Sequence, residues 1–268
     1  MDNSTGSTAD TPDGIPDSDQ YQIYFGASTS SSGSTATGRV TAPASSVSIM
    51  PRWAAGDGTL SRGSAQYDVA VITLNLGMVT SGTLPSARLG FSMTSPLGRT
   101  GTMVGYGSYG TGNSFAGNGA DGVRRAGNNT IDFVANDPGD SRNNPFGFTV
   151  QTDFDSPRDA SKSSLGSAIP LTLEATTAGG DSGGPLLIQD GTGQYLIAGV
   201  LNGGRIMAGL NASEYGDRSV WASILQANNY QYLMAQGIAV PEPSTWTLLG
   251  LGMVGAAAAL LRRRHALA

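Results

Sequence analysis

Hydrophobic and polar residues alternate over short distances along most of this chain. Tyr67-Asp68-Val69-Ala70-Val71-Ile72-Thr73-Leu74 is an acid followed by an alternating apolar run, the pattern of a half-buried strand. Tyr21-Gln22-Ile23-Tyr24-Phe25-Gly26 opens as a strand, and residues 169 to 177 read as another. Pro185-Leu186-Leu187-Ile188 and Tyr195-Leu196-Ile197-Ala198-Gly199-Val200 are apolar runs separated by Asp190-Gly191-Thr192-Gly193, which predicts a hairpin. From Val220 to Ala235 the apolar and polar positions are mixed in a way compatible with a helix. Trp246 to Leu261 is different in kind: it is apolar throughout and carries no charge.

Composition sharpens this reading. The chain has 268 residues, enough for one substantial domain and a tail. Only 13% of residues are charged and 39 are glycine, so many short strands joined by Gly, Ser and Asn turns predict an all-β fold. A net charge of −5 gives no footprint for nucleic acid. With no cysteine there is neither a disulfide nor a thiolate metal site. The Asp/Asn run from Asn136 to Asn144 lacks EF-hand spacing, so no metal and no cofactor is expected. Residues 27 to 37 form a Ser/Thr/Gly tract, the composition of an exposed loop. Residues 1 to 20 carry Asp2, Asp10, Asp13, Asp17 and Asp19 with no apolar run, so they are expected to be a disordered or truncated N-terminus and not an export signal.

The chemistry concentrates at Gly179-Gly180-Asp181-Ser182-Gly183-Gly184-Pro185. A serine hydroxyl becomes a nucleophile when a base takes its proton and N–H groups stabilise the oxyanion that forms. Glycines around it open backbone angles closed to other residues and leave amides unobstructed. This run resembles the nucleophile loop of the trypsin/chymotrypsin-like serine proteases. The resemblance implies Ser182 as nucleophile, with the amides of Gly180 and Ser182 as oxyanion hole. Tyr67 to Leu74 resembles that family's Asp-Ile-Ala-Leu segment, which implies Asp68 as the acid that orients the catalytic imidazole. Gly105-Tyr106-Gly107 falls where the family has a Gly-aromatic-Gly strand. Tyr215 to Trp221 resembles the strand behind the specificity pocket, and Val220 to Ala235 the closing helix. The pocket positions implied are Thr176, Gly203 and Ser219. None is an acid, so a taste for Lys or Arg is not implied; a small or apolar residue is expected.

The family order is His, Asp, Ser, yet no histidine precedes Asp68; the one histidine is His265, in the tail after three arginines. Lys162, the one lysine, lies in a Ser-rich loop with no supporting motif. The chain as it stands is therefore expected to be inactive or nearly so. Two explanations stand. In one, the start lies downstream of the natural one, which accounts at once for the missing base, the missing opening strands and the missing export signal. In the other, the protein is a catalytically inactive homologue.

Val240-Pro241-Glu242-Pro243-Ser244-Thr245, the apolar stretch and Arg262-Arg263-Arg264 follow in order. Together they resemble the PEP-CTERM sorting tail of Gram-negative bacteria. The resemblance implies recognition at Pro241, Glu242 and Pro243 by an exosortase-type enzyme, and membrane engagement through residues 246 to 261. As a helix that stretch spans about 24 Å, short of a hydrocarbon core of about 30 Å. That suits a segment recognised and then removed. The arginines stay cytoplasmic, which places the rest outside.

Together the expectations are a trypsin-like double β-barrel, its first barrel incomplete, over residues 21 to 236, and a sorting tail over 240 to 268 with a hydrophobic helix. The expected function is that of an exported serine endopeptidase acting on a polypeptide substrate. The alternative is an inactive homologue serving as an envelope binding or scaffold protein.

Overall fold

The computed structural model describes residues 21–24, 39–42, 47–55, 65–73, 87–90, 95–134, 149–207 and 211–238. The N-terminal 1 to 20, the tract at 27 to 37, the run from Asn136 to Asn144 and the apolar stretch Trp246 to Leu261 lie outside the described residues.

The order of elements begins with β1 (Tyr21–Tyr24) and β2 (Arg39–Ala42), an antiparallel pair. β3 (Val47–Ile49), helix α1 (Pro51–Ala55), a 3-10 turn at Ala65–Tyr67 and β4 (Ala70–Ile72) follow, with β3 and β4 antiparallel. Next come β5 (Arg88–Leu89), β6 (Thr100–Gly105), the hairpin β7 (Tyr109–Thr111) and β8 (Ser114–Asn118), then β9 (Arg125–Thr130) and β10 (Phe133–Val134). The last group is β11 (Thr149–Asp153), β12 (Pro185–Gln189), β13 (Tyr195–Arg205), β14 (Arg218–Ser223) and helix α2 (Ala227–Ala235).

Eight strands form one sheet in the order β10-β11-β14-β13-β12-β6-β9, with β5 lying parallel to β13. The end strands β9 and β10 are consecutive in the chain, joined through Ile131 and Asp132, so the sheet curls round as a half-barrel. Asn129, buried on β9, donates from Nδ2 to the carbonyls of Asp153 (2.7 Å) and Ala175 (2.9 Å) and ties the curl across its open side. Inside it pack Met103, Ile131, Val150, Leu186, Ile188 and the fully buried Trp221, the inward residues of alternating strands. A second apolar cluster joins α2 to the first third of the chain, where Tyr232 and Leu233 meet Met50, Tyr67 and Val69. Asn229 Nδ2 donates to the Gln66 carbonyl at 2.7 Å, and the Tyr232 hydroxyl to the Ser48 carbonyl at 2.5 Å.

The fold is mostly β with few helices, and the hairpin between β12 and β13 turns at Asp190–Gln194, as the pattern predicts. Four local expectations shift. Residues 169 to 177 form no regular strand: Ile169 and Leu173 are 76% and 68% exposed, and among the described residues the pairing is an isolated bridge of Glu174 with Asn128. Pro170 has no N–H for a ladder, and the Glu174 carboxylate takes the amides of Leu171 (2.6 Å) and Asp155 (2.5 Å) in place of one. Of the expected run Tyr67 to Leu74, Ala70–Ile72 is strand and Tyr67 ends a 3-10 turn, while Leu74 lies outside the described residues. Tyr215-Gly216-Asp217 is a loop, with Gly216 at φ +97°, and the strand starts at Arg218. Val220 to Ser223 belong to that strand, so α2 begins only at Ala227, capped by the Gln226 side chain on the Asn229 amide. Among the described residues no helix is long and apolar enough to cross a membrane.

Candidate active site

The loop bearing Ser182 joins the irregular 169–178 segment to β12. Asp181 N donates to the Ala178 carbonyl (3.1 Å) and Gly184 N to the Asp181 carbonyl (2.9 Å), which closes two consecutive turns. Gly180 at φ +98° and Gly183 at φ +80° make those turns possible. The loop is tied to β13 by Gly183 N on the Leu201 carbonyl and Leu201 N on the Gly184 carbonyl, both 2.8 Å, and to the segment after β6 by Ser108 N on the Gly179 carbonyl, 2.8 Å.

Beneath the loop the half-buried Asp181 carboxylate accepts from two amides. Oδ1 takes the Gly107 N–H at 2.7 Å and Oδ2 takes the Ala178 N–H at 2.9 Å. A Cβ at Gly105 would stand 1.9 Å from Asp181 Oδ1, and one at Gly107 2.6 Å from it. The Gly-aromatic-Gly signature is therefore the seat of the Asp181 side chain, a role its sequence alone did not reveal. Ser182 itself is exposed. Its hydroxyl, its amide and the Gly180 amide have no hydrogen-bond partner among the described residues.

Asp68 stands half-buried just before β4, and its Oδ2 accepts from Asn202 Nδ2 at 2.7 Å. Burial raises the Asp68 carboxyl above its usual range, and the Asn202 hydrogen bond opposes that rise. Asn202 is the extra residue of a bulge, since the register of β13 on β14 shifts between Leu201 and Gly203. Bulges re-aim single side chains; this one presents Asn202 to Asp68. Asp68 and the Ser182 loop thus meet neighbouring residues of one strand, Asn202 and Leu201. Sequence reading missed Asn202, because no local signal points to a partner so distant in the chain.

Thr176 and Ser219 come together: Thr176 Oγ1 and Ser219 Oγ are 2.9 Å apart, and Thr177 Oγ1 is 2.8 Å from the same hydroxyl. Ser213, in the left-handed region at φ +63°, donates from Oγ to the Thr177 carbonyl at 2.9 Å. Gly203 pairs with Val220 on β14, and a Cβ there would meet nothing within 4 Å. A cleft of about 380 Å³ lies beside the loop, lined by Thr176, Thr177, Ala178, Asp181 and Leu201; Ser182, Gly203 and Ser219 are not in its lining. Lys162 stands on a 3-10 turn within electrostatic reach of Asp159 and Glu214, and is no hydrogen-bond partner of the Ser182 loop. His265 and the Pro241-Glu242-Pro243 motif lie outside the described residues. Among the described residues no group of three or more His, Cys, Asp or Glu is placed to hold a metal ion.

Comparison with known proteins bears on the tail. The family model described as PEP-CTERM protein-sorting motif matches residues 239–264. That motif marks an exported protein sorted to the cell envelope and recognised by an exosortase-type enzyme. No curated protein matches the chain.

Proposed function

We propose that this envelope-sorted protein is a serine endopeptidase of the trypsin-like kind, built as a double β-barrel of which the curled sheet is the second. The observation that carries the proposal is the fastened nucleophile loop. Asp181 is held by two amides, while Gly180 and Ser182 are exposed residues whose amides, like the Ser182 hydroxyl, have no hydrogen-bond partner among the described residues. In this reading the Ser182 oxygen attacks a peptide carbonyl carbon as its proton passes to an imidazole. The two amides receive the oxyanion, and the imidazolium returns the proton to the leaving amine. Asp68, free of any cation partner among the described residues, is the group that would orient that imidazole and stabilise its charge.

The imidazole is the missing part, since the chain's one histidine is His265. Loss of the base lowers turnover by about 10⁴ to 10⁶. A small or apolar residue at the cleavage position is supported by Thr176 and Thr177, which line the cleft while their hydroxyls are engaged with that of Ser219. Glu174 also lines the cleft, but its two oxygens are occupied by the amides of Leu171 and Asp155, which leaves it a poor counter-ion for Lys or Arg.

A fluorophosphonate probe tests this reading. Negligible labelling is expected from the chain alone, with labelling restored by added imidazole and lost in Ser182→Ala. A peptide panel run under the same rescue is expected to disfavour basic residues at the cleavage position. A Ser182 that stays inert at every imidazole concentration overturns the hydrolase. The absence of any histidine among the described residues favours one second reading, a non-catalytic envelope protein that uses the cleft to bind. Peptide binding without any labelling is its signature.

A further inference from the structure

We propose that the outer face of α2, which bears Tyr230 and Met234, rests on the lipid headgroup layer while the sorting tail holds the chain at the membrane, and leaves that layer once the tail is removed.

α2 carries apolar side chains on two sides. Tyr232 and Leu233 join the cluster with Met50, Tyr67 and Val69, and Asn229 bonds the Gln66 carbonyl beside it. Tyr230 and Met234, four residues apart and so neighbours on one helical stripe, are 36% and 41% exposed. Ala227, Gln231 and Ala235 are also exposed, and all are neutral. A surface helix ordinarily turns charged residues toward water. Here Ser219 to Pro241 holds no Asp, Glu, Lys, Arg or His, the longest such run in the chain. Helix α1, whose Trp53 packs on the same cluster, carries a single charge, the exposed cation Arg52. A tyrosine, a methionine and neutral polar groups suit the headgroup boundary, where Tyr is enriched. Arg52 suits anionic lipid.

The length of the chain beyond α2 says what covers this face. The end of α2 is fixed to the domain. Gly237 turns the backbone at φ +74°, its amide donates to the Met234 carbonyl (3.0 Å), and the Ile238 amide donates to the Leu233 carbonyl (3.3 Å). Ile238 itself packs on the cluster. Trp246, where the apolar stretch opens, comes eight residues later. Eight residues reach at most about 29 Å when fully extended. A domain tied so closely to a membrane-engaging stretch meets the bilayer at an effective concentration of roughly millimolar order. Two side chains are a weak membrane signal by themselves, and the tether makes them sufficient. Met234 stands one turn before the root of that tether. Removing the tail removes the second signal, so the face lets go. The proposal depends on residues 246 to 261 engaging the membrane, and not on Ser182 being a nucleophile.

The chain has no cysteine, so Met234→Cys gives one labelling site on this face and Ala160→Cys gives a control site on the 3-10 turn Ala160–Lys162. That turn lies close in the chain to Ser164, whose carbonyl meets Arg218 at the start of β14 (2.6 Å), whereas α2 follows the end of that strand. Each full-length variant carries an NBD group and is reconstituted with vesicles of phosphatidylethanolamine and phosphatidylglycerol. Flotation reports on the tail, and quenching reports on the face. Iodide quenching at position 234 is expected to be about threefold or more weaker than at position 160, as for a group seated about 5–10 Å into the headgroup boundary. Spin-labelled lipid is expected to quench position 234 and to spare position 160. Adding Tyr230→Glu is expected to make position 234 as open to iodide as position 160 with flotation kept. Flotation without shielding or lipid quenching at position 234 overturns the contact and leaves the tail standing, while no flotation overturns both. Shielding at position 234 that vanishes as the protein is diluted in the membrane assigns the face to a second copy of the chain and also overturns the lipid contact.

Discussion

At the scale of single residues, Asp181 does the most for the loop. Its carboxylate satisfies two amides that would otherwise stand half-buried without acceptors, Gly107 N and Ala178 N. In Asp181→Asn one acceptor oxygen becomes an NH₂ facing a donor. One amide is then orphaned, at a cost of about 1–3 kcal/mol. A lowered urea midpoint with unchanged slope is the expected result, together with loss of imidazole-rescued labelling at Ser182. Gly107→Ala tests the same seat without touching the charge, since its Cβ would fall 2.6 Å from Asp181 Oδ1 and 2.8 Å from Asp181 N. Asn202 acts on Asp68 in the same local manner. Its hydrogen bond holds the carboxyl down against the rise caused by burial. Asn202→Leu is expected to move the Asp68 titration further up, as followed by carboxyl-carbon NMR. Because the folded value then lies higher above the unfolded one, stability falls more steeply as pH rises between the two.

At the scale of elements, the curl of the sheet rests on few contacts across its open side. Asn129 supplies two of them from a position 1% exposed. Asn129→Leu keeps the bulk but leaves the Asp153 and Ala175 carbonyls without that donor. It is expected to cost about 2–3 kcal/mol by chemical denaturation. The hairpin of β12 and β13 was readable in advance because apolar runs and a Gly-rich turn are local signals. So was the serine loop, whose glycines stand beside the residue they serve. Two other features were not. Residues 169 to 177 read as a strand, but Pro170 and the Glu174 side chain impose turns, and that depends on Asp155 arriving from elsewhere. Asn202 owes its direction to a bulge, and its partner Asp68 lies 134 residues earlier in the chain. Thr176 and Ser219 were singled out by resemblance alone, and their 2.9 Å contact follows from a register no local pattern carries.

At the scale of the whole molecule, residues before β5 and residues after β14 depend on each other. α2 closes over Met50, Tyr67 and Val69 and bonds Gln66 and Ser48, so the 48–69 stretch and α2 share one apolar cluster. The sorting signal begins just past this closure, with the motif spanning 239–264. A signal read by a processing enzyme must be recognised by its own residues, and Pro241-Glu242-Pro243 has two proline rings and one charge to offer. The apolar stretch behind it holds no charge, and the arginines beyond it favour the cytoplasmic side. Replacing the three residues by alanine (P241A, E242A, P243A) therefore leaves the membrane-seeking part intact and removes the part that is read. In a Gram-negative host with an exosortase, the variant is expected to stay uncleaved and membrane-associated, while the unmodified protein is processed and released to the envelope. Fractionation with intact-mass measurement distinguishes the two forms. Processing that continues unchanged would mean that Pro241, Glu242 and Pro243 are not the residues the enzyme reads.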